Sequence, residues 1–371
     1  MLTGDFAEIA DDPSIAVVAE VMGGVEPTGS YVLELLSRGK HVVSANKQLV
    51  ARRGAELFAA ASEAGVQLRF EASVCAAIPV IKVLRESLVV THVHRVLGIV
   101  NGTTNFVLTR MEAGRSYDEA LAEAQRLGYA EADPTDDVSG ADAAAKMAIL
   151  ATVAFKSRVE LEDVFFSGIT TLDELDVAAA RELGMVIRLV GAARLVDGSV
   201  DVNVQPAFVD AQHPLAKVDG AFNAVMLQGD AIREITLEGP GAGGVETASA
   251  VIADVTSVIG TMGTGFLQND AAWRSLPRLA RGDSRSPFYF RLHVEDRPGV
   301  LARVADALAE RDVSVARLLQ HANGDGAVLH VVTHDARAGA LEEALEALGR
   351  LPEVHDRSLP RPVVSDRGVP Q

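Results

Sequence analysis

Between Gly128 and Leu150 the chain reads GYAEADPTDDVSGADAAAKMAIL. Glu131, Asp133, Asp136, Asp137 and Asp142 precede a single lysine, Lys146, set among alanines and larger apolar residues. Ser139 is a candidate helix N-cap with Asp142 as its capping-box partner. From there AAAKMAILATVAF predicts a helix buried nearly all round, and Asp142 and Lys146 stand four residues apart on one face. Such a lysine is either salt-bridged and snorkelling to water or an ammonium held at a cleft. Burial weakens a lysine's hold on its proton and an adjacent carboxylate strengthens it, so the pair can be tuned for acid–base work. Caps do not account for five acids, and at least one is expected to meet a cationic substrate group such as an ammonium. Pro134 stiffens the loop that presents them.

The elements that must position these residues begin with an alternation of strand and helix. Strands are predicted over Ile15–Met22, His41–Ser44 and Val66–Ala72. Helices are predicted from about Pro27 to Arg38 and from Gln48 to Ala64, stopped by Gly39 and Gly65. This order predicts a parallel sheet covered by helices. It lacks the strand and Gly-rich turn that open a doubly wound nucleotide domain, so that domain is expected to be incomplete. Strand-like runs at Val93–Val100, Val186–Val196, Val200–Val209 and Phe222–Leu227 predict an α+β layer. A helix over Glu246–Ile259 leads to an exposed linker over Gly260–Ser286.

The final part predicts strands at Phe288–Val294, Val313–His321, Ala327–Thr333 and Glu353–Asp356, with helices at Val300–Glu310 and Ala336–Arg350. This is the βαββαβ order of a split-βαβ sandwich. The fold class expected is thus α/β, with an incomplete doubly wound, Rossmann-like unit over residues 1–72 and an α+β unit over 73–245. After these come a linker over 261–285, a βαββαβ unit over 286–357 and a tail over 358–371, with Ser365–Gln371 disordered.

Composition narrows the partners. A net charge of −17 over 371 residues argues against a nucleic-acid partner, which needs a basic face. The single cysteine, Cys75, excludes an intramolecular disulfide and fits a reducing cytosol. No apolar run reaches membrane-spanning length, and MLTGDFAEIADD lacks a basic signal-peptide start. A soluble, cytoplasmic protein with no membrane partner is expected.

The stretch GYAEADPTDDVSGADAAAK closely resembles the central motif of homoserine dehydrogenases. EVMGG (Glu20–Gly24), SANK (Ser44–Lys47), FEASVCAAIP (Phe70–Pro79), GIVNGTTNF (Gly98–Phe106) and GPGAGG (Gly239–Gly244) match that family in order, over about residues 1–260. The resemblance implies an NAD(P)H-dependent, reversible reduction of L-aspartate 4-semialdehyde to L-homoserine, in threonine and methionine biosynthesis. It implies Lys146 as proton donor to the carbonyl oxygen, Asp142 holding that lysine and touching substrate, and Glu131 binding the substrate's ammonium. Asp136 and Asp137 would shape the loop or assist substrate binding. Lys47, after a strand's carboxyl end, would lie near cofactor and substrate, and Gly128 near the cofactor. The segment Glu71–Ile78 resembles the family's monovalent-cation loop, with carbonyl oxygens around Glu71, Val74, Ala76 and Ile78 holding a sodium ion. Helix 246–260 would pack back on the nucleotide unit, and the 73–245 unit would serve catalysis and dimerisation.

GPGAGG formally fits G-x-G-x-x-G at Gly239, Gly241 and Gly244, a weak signal without a βαβ unit around it. By resemblance it is instead the loop near the nicotinamide, with Gly241 and Gly243 as cofactor contacts. The tail's VEDRPGVLARVADAL resembles an ACT domain, which implies pairing into a homo-oligomer, a dimer or tetramer. Amino-acid binding is expected near Gly299, Val300 and Asn323, with L-threonine as the expected effector. NADP and NAD remain open, because the ribose-reading segment is the one expected to be missing. Two other readings stand beside this one. The first is a catalytically impaired amino-acid-binding regulatory fragment. The second is an aldehyde dehydrogenase with Cys75 as nucleophile, which would need a histidine base, whereas His41 and His92 fall on other elements.

Overall fold

The run His41–Ser44 is buried at all four positions, as a parallel strand covered on both faces must be. It forms the middle of a three-stranded parallel sheet. The computed structural model describes residues 2–262, 275–323 and 326–365. In chain order these begin with α1 (Phe6–Ala10), β1 (Val17–Glu20), α2 (Thr28–Ser37), β2 (His41–Ser44), α3 (Lys47–Glu63) and β3 (Leu68–Arg69). β2 pairs with β1 at Val17↔His41 and with β3 at Val42↔Leu68, leaving β1 at an edge. The outer strands are shorter than the sequence predicts. The Glu20 carboxylate accepts from the Met22 N–H (2.7 Å) and the Ser44 hydroxyl (2.6 Å). This pulls the chain out of β1 and into a left-handed turn at Gly23 and Gly24. Beyond β3 the chain tightens into a 3-10 turn over Glu71–Ser73.

The central unit runs through α4 (Val80–Lys82), β4 (Val93–Ile99), α5 (Gly102–Glu112), α6 (Tyr117–Leu127), α7 (Thr135–Val138), α8 (Ala141–Phe155), β5 (Phe165–Phe166) and α9 (Glu174–Glu182). It continues with β6 (Met185–Val196), β7 (Ser199–Asp210), β8 (Phe222–Gly229) and β9 (Ile232–Pro240). Its sheet has the order β7-β6-β4-β8-β9, antiparallel throughout. The long β6–β7 hairpin closes at Val196↔Ser199 around Asp197 and Gly198. Both have positive φ, as a two-residue turn matched to the strand twist requires.

α8 crosses β4, β6 and β7 and is buried at twelve of its fifteen positions, as its sequence predicts. Its approach to the sheet is close: a Cβ on Gly191 of β6 would fall 2.3 Å from Met147 Cγ. The expected cap is corrected by the structure. Ser139 closes α7, and the residue before α8 is Gly140, left-handed and without a side-chain cap. Asp142 is drawn instead to two lysines. α10 (Gly244–Thr261) then buries Val251 and Val258 against Val43.

Of the expected linker, residues 263–274 lie outside the described residues. Past them the chain is pinned to β7: the Val200 N–H donates to the Pro277 carbonyl and the Leu279 N–H to that of Val200. The last unit comprises β10 (Arg285–Ser286), β11 (Phe288–Glu295), α11 (Val300–Ala309), β12 (Val315–Asn323), β13 (Gly326–Thr333), β14 (Ala336–Arg337), α12 (Ala338–Leu348) and β15 (Val354–Arg357). β13 and β15 flank β11 and β12 lies outside β13, the expected βαββαβ arrangement. Phe288, Phe290, Leu292 and Val294 face α11 and α12.

The alternate residues of β11 dock this sheet on the central unit. Tyr289 stacks on Phe208 with ring centroids 3.8 Å apart, and Arg291 forms a bidentate pair with Asp173 (2.7 and 2.8 Å) and reaches Asp176 (3.2 Å). The segment expected to be a tail contains β16 (Arg361–Val364). It pairs antiparallel with β11 and parallel with β7, at Val363↔Phe208, and so joins the two sheets. Arg361 extends from it to Asp176 (3.4 Å). Residues 366–371 lie outside the described residues.

Candidate active site

The site forms where four chain segments converge. β2 ends at Ser44, and Asn46 caps α3 by accepting from the Leu49 N–H (3.0 Å), which starts that helix at Lys47. β4 ends at Ile99, and Asn101 caps α5 by accepting from the Thr104 N–H (2.9 Å). α7 brings Asp137, and the first turns of α8 bring Asp142 and Lys146.

The centre is the Asp142 carboxylate, 3% exposed. One oxygen pairs with Lys47 Nζ at 2.6 Å and the other with Lys146 Nζ at 2.8 Å. Burial opposes its charge, but the two ammonium groups outweigh burial and hold it well below the usual carboxylate range. Lys146 is itself buried, 9% exposed, and donates also to the Val100 carbonyl (2.8 Å). Burial again opposes the charge, and Asp142 reverses the balance and raises its affinity for a proton. An ammonium has three N–H bonds. Two are engaged among the described residues, leaving one for another acceptor.

The Asn101 amide nitrogen donates to Asp142 (2.9 Å) and to Asp137 (2.7 Å). The single proton of the Thr103 hydroxyl lies between the Tyr129 carbonyl (2.5 Å) and the other Asp137 oxygen (2.9 Å). The structure thus brings Lys47, Asp137, Asp142 and Lys146 into one hydrogen-bonded cluster. Glu131 and Asp136 are solvent-exposed. Asp133 is occupied locally by the Thr135 N–H and hydroxyl, which lower its proton affinity. Gly128 closes α6 in the left-handed conformation.

Beside this cluster the buried Cys75 thiol accepts a hydrogen bond from Asn223 (3.4 Å). Burial pushes its proton affinity up, the opposite of what a nucleophilic thiolate needs. Asn223 also packs on Gly241, where a Cβ would fall 1.9 Å from its amide nitrogen. A Cβ on Gly243 would fall 2.0 Å from the Glu246 carboxylate. GPGAGG therefore brings bare backbone to the start of α10. Its preceding strand, β9, belongs to an antiparallel sheet, so it is no βαβ fingerprint.

In the loop expected to hold a cation, Cys75 and Ala76 are both left-handed. The two Glu71 oxygens accept the Ile81 and Lys82 N–H groups (2.8 Å each). That carboxylate is buried and pushed up to about 7, chiefly by burial. With the side chain so engaged, main-chain carbonyls are the oxygen donors this loop offers. Asn101, Thr103, the Val100 carbonyl and Asn223 carry no role in the sequence reading. The strand-then-Asn-Gly-Thr-Thr pattern, a capping signal, marks the first of them.

Comparison with known proteins gives the chain's family. The family model described as homoserine dehydrogenase matches residues 79–256, its NAD-binding domain matches 1–71, and an ACT domain matches 288–353. The chain is 44% identical to homoserine dehydrogenase of Mycobacterium tuberculosis over 368 residues, covering 95% of this chain and 82% of that one. It is 40% identical to that of Bacillus subtilis over 362 residues, covering 96% and 84%. Its fold matches the crystal structure of a homoserine dehydrogenase from Thiobacillus denitrificans with a TM-score of 0.92 at 38% identity, over 97% of this chain and 85% of that one. A hyperthermophilic archaeal homoserine dehydrogenase in complex with NADPH matches at TM-score 0.61 and 30% identity, over 70% and 76%. These likenesses run through nucleotide, catalytic and ACT parts alike and support an enzyme rather than an impaired binding fragment. The chain belongs to the homoserine dehydrogenase family, as an oxidoreductase with a C-terminal ACT domain.

Proposed function

We propose that Lys146 is the proton donor in the reduction of L-aspartate 4-semialdehyde to L-homoserine. The observation that carries this is the buried ammonium with two donors engaged, by Asp142 and Val100, and one free. Asp142 keeps that ammonium charged until a carbonyl oxygen takes the proton. Lys47, 40% exposed at its side chain, closes the other side of Asp142 and contacts substrate at the mouth. Asp137 and Asp142 line the polar floor, and exposed Glu131 receives the substrate's ammonium.

NADP or NAD, when bound, supplies the hydride to the carbonyl carbon. The chain has a cradle that fits such a group: the left-handed Gly23–Gly24 turn at the carboxyl end of β1, and Gly241 and Gly243, where side chains would collide with Asn223 and Glu246. Lys47 and Gly128 are assigned to its border. The carbonyls of Glu71, Val74, Ala76 and Ile78 suit a sodium ion, a hard cation that accepts backbone oxygens.

For regulation, Gly299 and Val300 line a hollow with Asp296, Arg297 and Gln320. Asn323 ends β12 opposite Gly326, itself paired with Glu295. L-Threonine is the effector assigned to this end of the ACT sheet. A homo-oligomer, dimer or tetramer, would cover β12, whose side chains are exposed along nearly its whole length. Among the described residues no helix is long and apolar enough to cross a membrane, in keeping with a cytoplasmic enzyme.

Steady-state reduction of the semialdehyde by Lys146→Ala tests the central assignment. Loss of a positioned proton donor lowers kcat by roughly 100- to 10,000-fold, with KM little changed, and parental kcat in that variant would refute it. For the effector, Gly299→Asp is preferable to deletion after Pro277, because deletion would strip β16 from the edge of β7. Threonine inhibition that survives Gly299→Asp would count against that end of the sheet.

A further inference from the structure

Asn101 is 4% exposed, and every polar position of its amide is occupied. The oxygen accepts from the Thr104 N–H and the Thr104 hydroxyl, both at 2.9 Å. The nitrogen donates one N–H to Asp137 and the other to the Asp142 oxygen that also receives Lys146. The orientation is not arbitrary. Turning the amide over would point its oxygen at two carboxylates and its nitrogen at the helix's own N–H donor. The preceding residue, Val100, supplies the carbonyl that takes Lys146's second N–H.

We infer that Asn101 is a positioning residue of the reaction, a neutral double donor that holds Asp137 and Asp142 side by side and so sets where Asp142 places the Lys146 ammonium. Two carboxylates brought this close repel each other and favour taking up a proton. An amide between them removes that penalty without adding a charge that would compete with Lys146. A lysine or arginine there would pair with Asp142 itself and weaken its hold on the proton donor. Because α5 is capped by the same amide, the strand end, the helix start and the carboxylate pair are registered by one side chain. This inference rests on the roles proposed for Lys146 and Asp142.

Cap and double donor are separable. Serine and aspartate both cap helices about as well as asparagine. Serine is too short to bridge the two carboxylates, and aspartate has no proton to donate and adds a third negative charge. In the full chain, Asn101→Ser is expected to stay folded at the assay temperature, with its unfolding midpoint lowered by the two carboxylate donors lost, while kcat falls roughly 10- to 100-fold, the usual cost of losing a partner that orients a reacting group. KM for the semialdehyde should change less than kcat, since the amide itself does not touch substrate. The basic limb of the kcat–pH profile should move to lower pH, because an Asp142 no longer fixed by the amide holds the Lys146 proton less tightly. The charged and titratable groups facing Asp142 (Lys47 from α3, Lys146 from α8, the Cys75 thiol, and Asp137 across the amide) are all retained in the variant. Asn101→Asp should lose more kcat than Asn101→Ser.

Parental kcat in Asn101→Ser, or a loss matched by unfolding, would reduce Asn101 to a helix cap and overturn the inference. So would a loss of kcat with an unmoved basic limb. Lys146→Ala, assayed alongside, separates the two levels. If it keeps parental kcat, the site assignment fails; if it is inactive while Asn101→Ser is parental, only the role of Asn101 fails.

Discussion

Replacing Asp142 by asparagine keeps the side chain's shape and removes the charge that Lys47 and Lys146 share. Lys47 can relax toward solvent. Lys146, 9% exposed, keeps only neutral acceptors, the Val100 carbonyl and the new amide oxygen, and has two courses. Staying charged costs about 3–5 kcal/mol, the usual penalty for a buried pair that loses one member. Releasing the proton at pH 7, against an ordinary lysine value of 10.5, costs about 5 kcal/mol at about 1.4 kcal/mol per unit. The cheaper course governs, so Asp142→Asn is expected to lose about 3–5 kcal/mol of stability at neutral pH.

The pH dependence identifies the cause. In the parent, Lys146 binds its proton more tightly than in the unfolded chain. Its contribution is full below the ordinary lysine range and lost as pH rises through the raised value. In the variant burial prevails, the unfolded chain holds the proton more tightly, and stability rises with pH up to the ordinary lysine value. The gap between parent and variant should therefore narrow above neutrality, by up to about 1.4 kcal/mol per pH unit. It should also narrow in strong acid, where the parent's depressed Asp142 is finally protonated. Urea unfolding of parent, Asp142→Asn, Lys146→Met and the double variant across pH supplies the measurement. The double variant should cost less than the sum of the single ones. A cost below about 1 kcal/mol, the range of an exposed pair, with a gap flat in pH, would show that Lys146 stands in water and that the buried pair does not exist.

Arg291→Met leaves the fully buried Asp176 with Arg361 alone at 3.4 Å. About 2–3 kcal/mol of docking energy should be lost, somewhat less than for a pair stripped bare, and hydrogen exchange should rise in β16 and β11; unchanged protection would refute that anchor. His330 is 5% exposed and donates to or accepts from the Tyr289 hydroxyl at 2.9 Å. Burial, with His321 nearby, depresses it to about 4. The unfolded histidine takes up a proton first, so stability present above about pH 6.5 should fall by up to about 3 kcal/mol on acidification toward pH 4. His330→Gln should lose that part of the pH dependence in a thermal unfolding series, and identical profiles would rule it out. Gly241→Ala places a methyl 1.9 Å from the Asn223 amide and should cost about 1–3 kcal/mol. It should also raise the dissociation constant for NADPH in a fluorescence titration, and unaltered affinity would remove Gly241 from the cofactor cradle.

Local pattern carried much of this protein. An apolar run without a polar face reads as a buried helix, so α8 was legible from AAAKMAIL, whereas whether its lysine turns to water or to a cleft was not. The four-residue spacing alone put Asp142 beside Lys146, as found at 2.8 Å. β12 and β13 and the helices around them were legible from alternation and turn residues, and the family motifs named the chemistry. Other features depend on groups distant in the chain, and no local signal encodes those. Ser139 and Asp142 have the spacing of a capping box. Whether Asp142 caps or binds lysine was decided by Lys47, which α3 delivers from ninety-five residues earlier. Arg361–Val364 follows Pro360 and contains a second proline, Pro362, which together demote it as a strand. It becomes one because β11 and β7 each offer it an unpaired edge. Asn101 reads as a helix cap from its neighbours; only the fold sets Asp137 and Asp142 against its amide. Composition and spacing thus determined which elements form and which residues could do chemistry. Tertiary structure alone decided which charges share one carboxylate, because that choice is made by burial and distance between segments that the sequence keeps far apart.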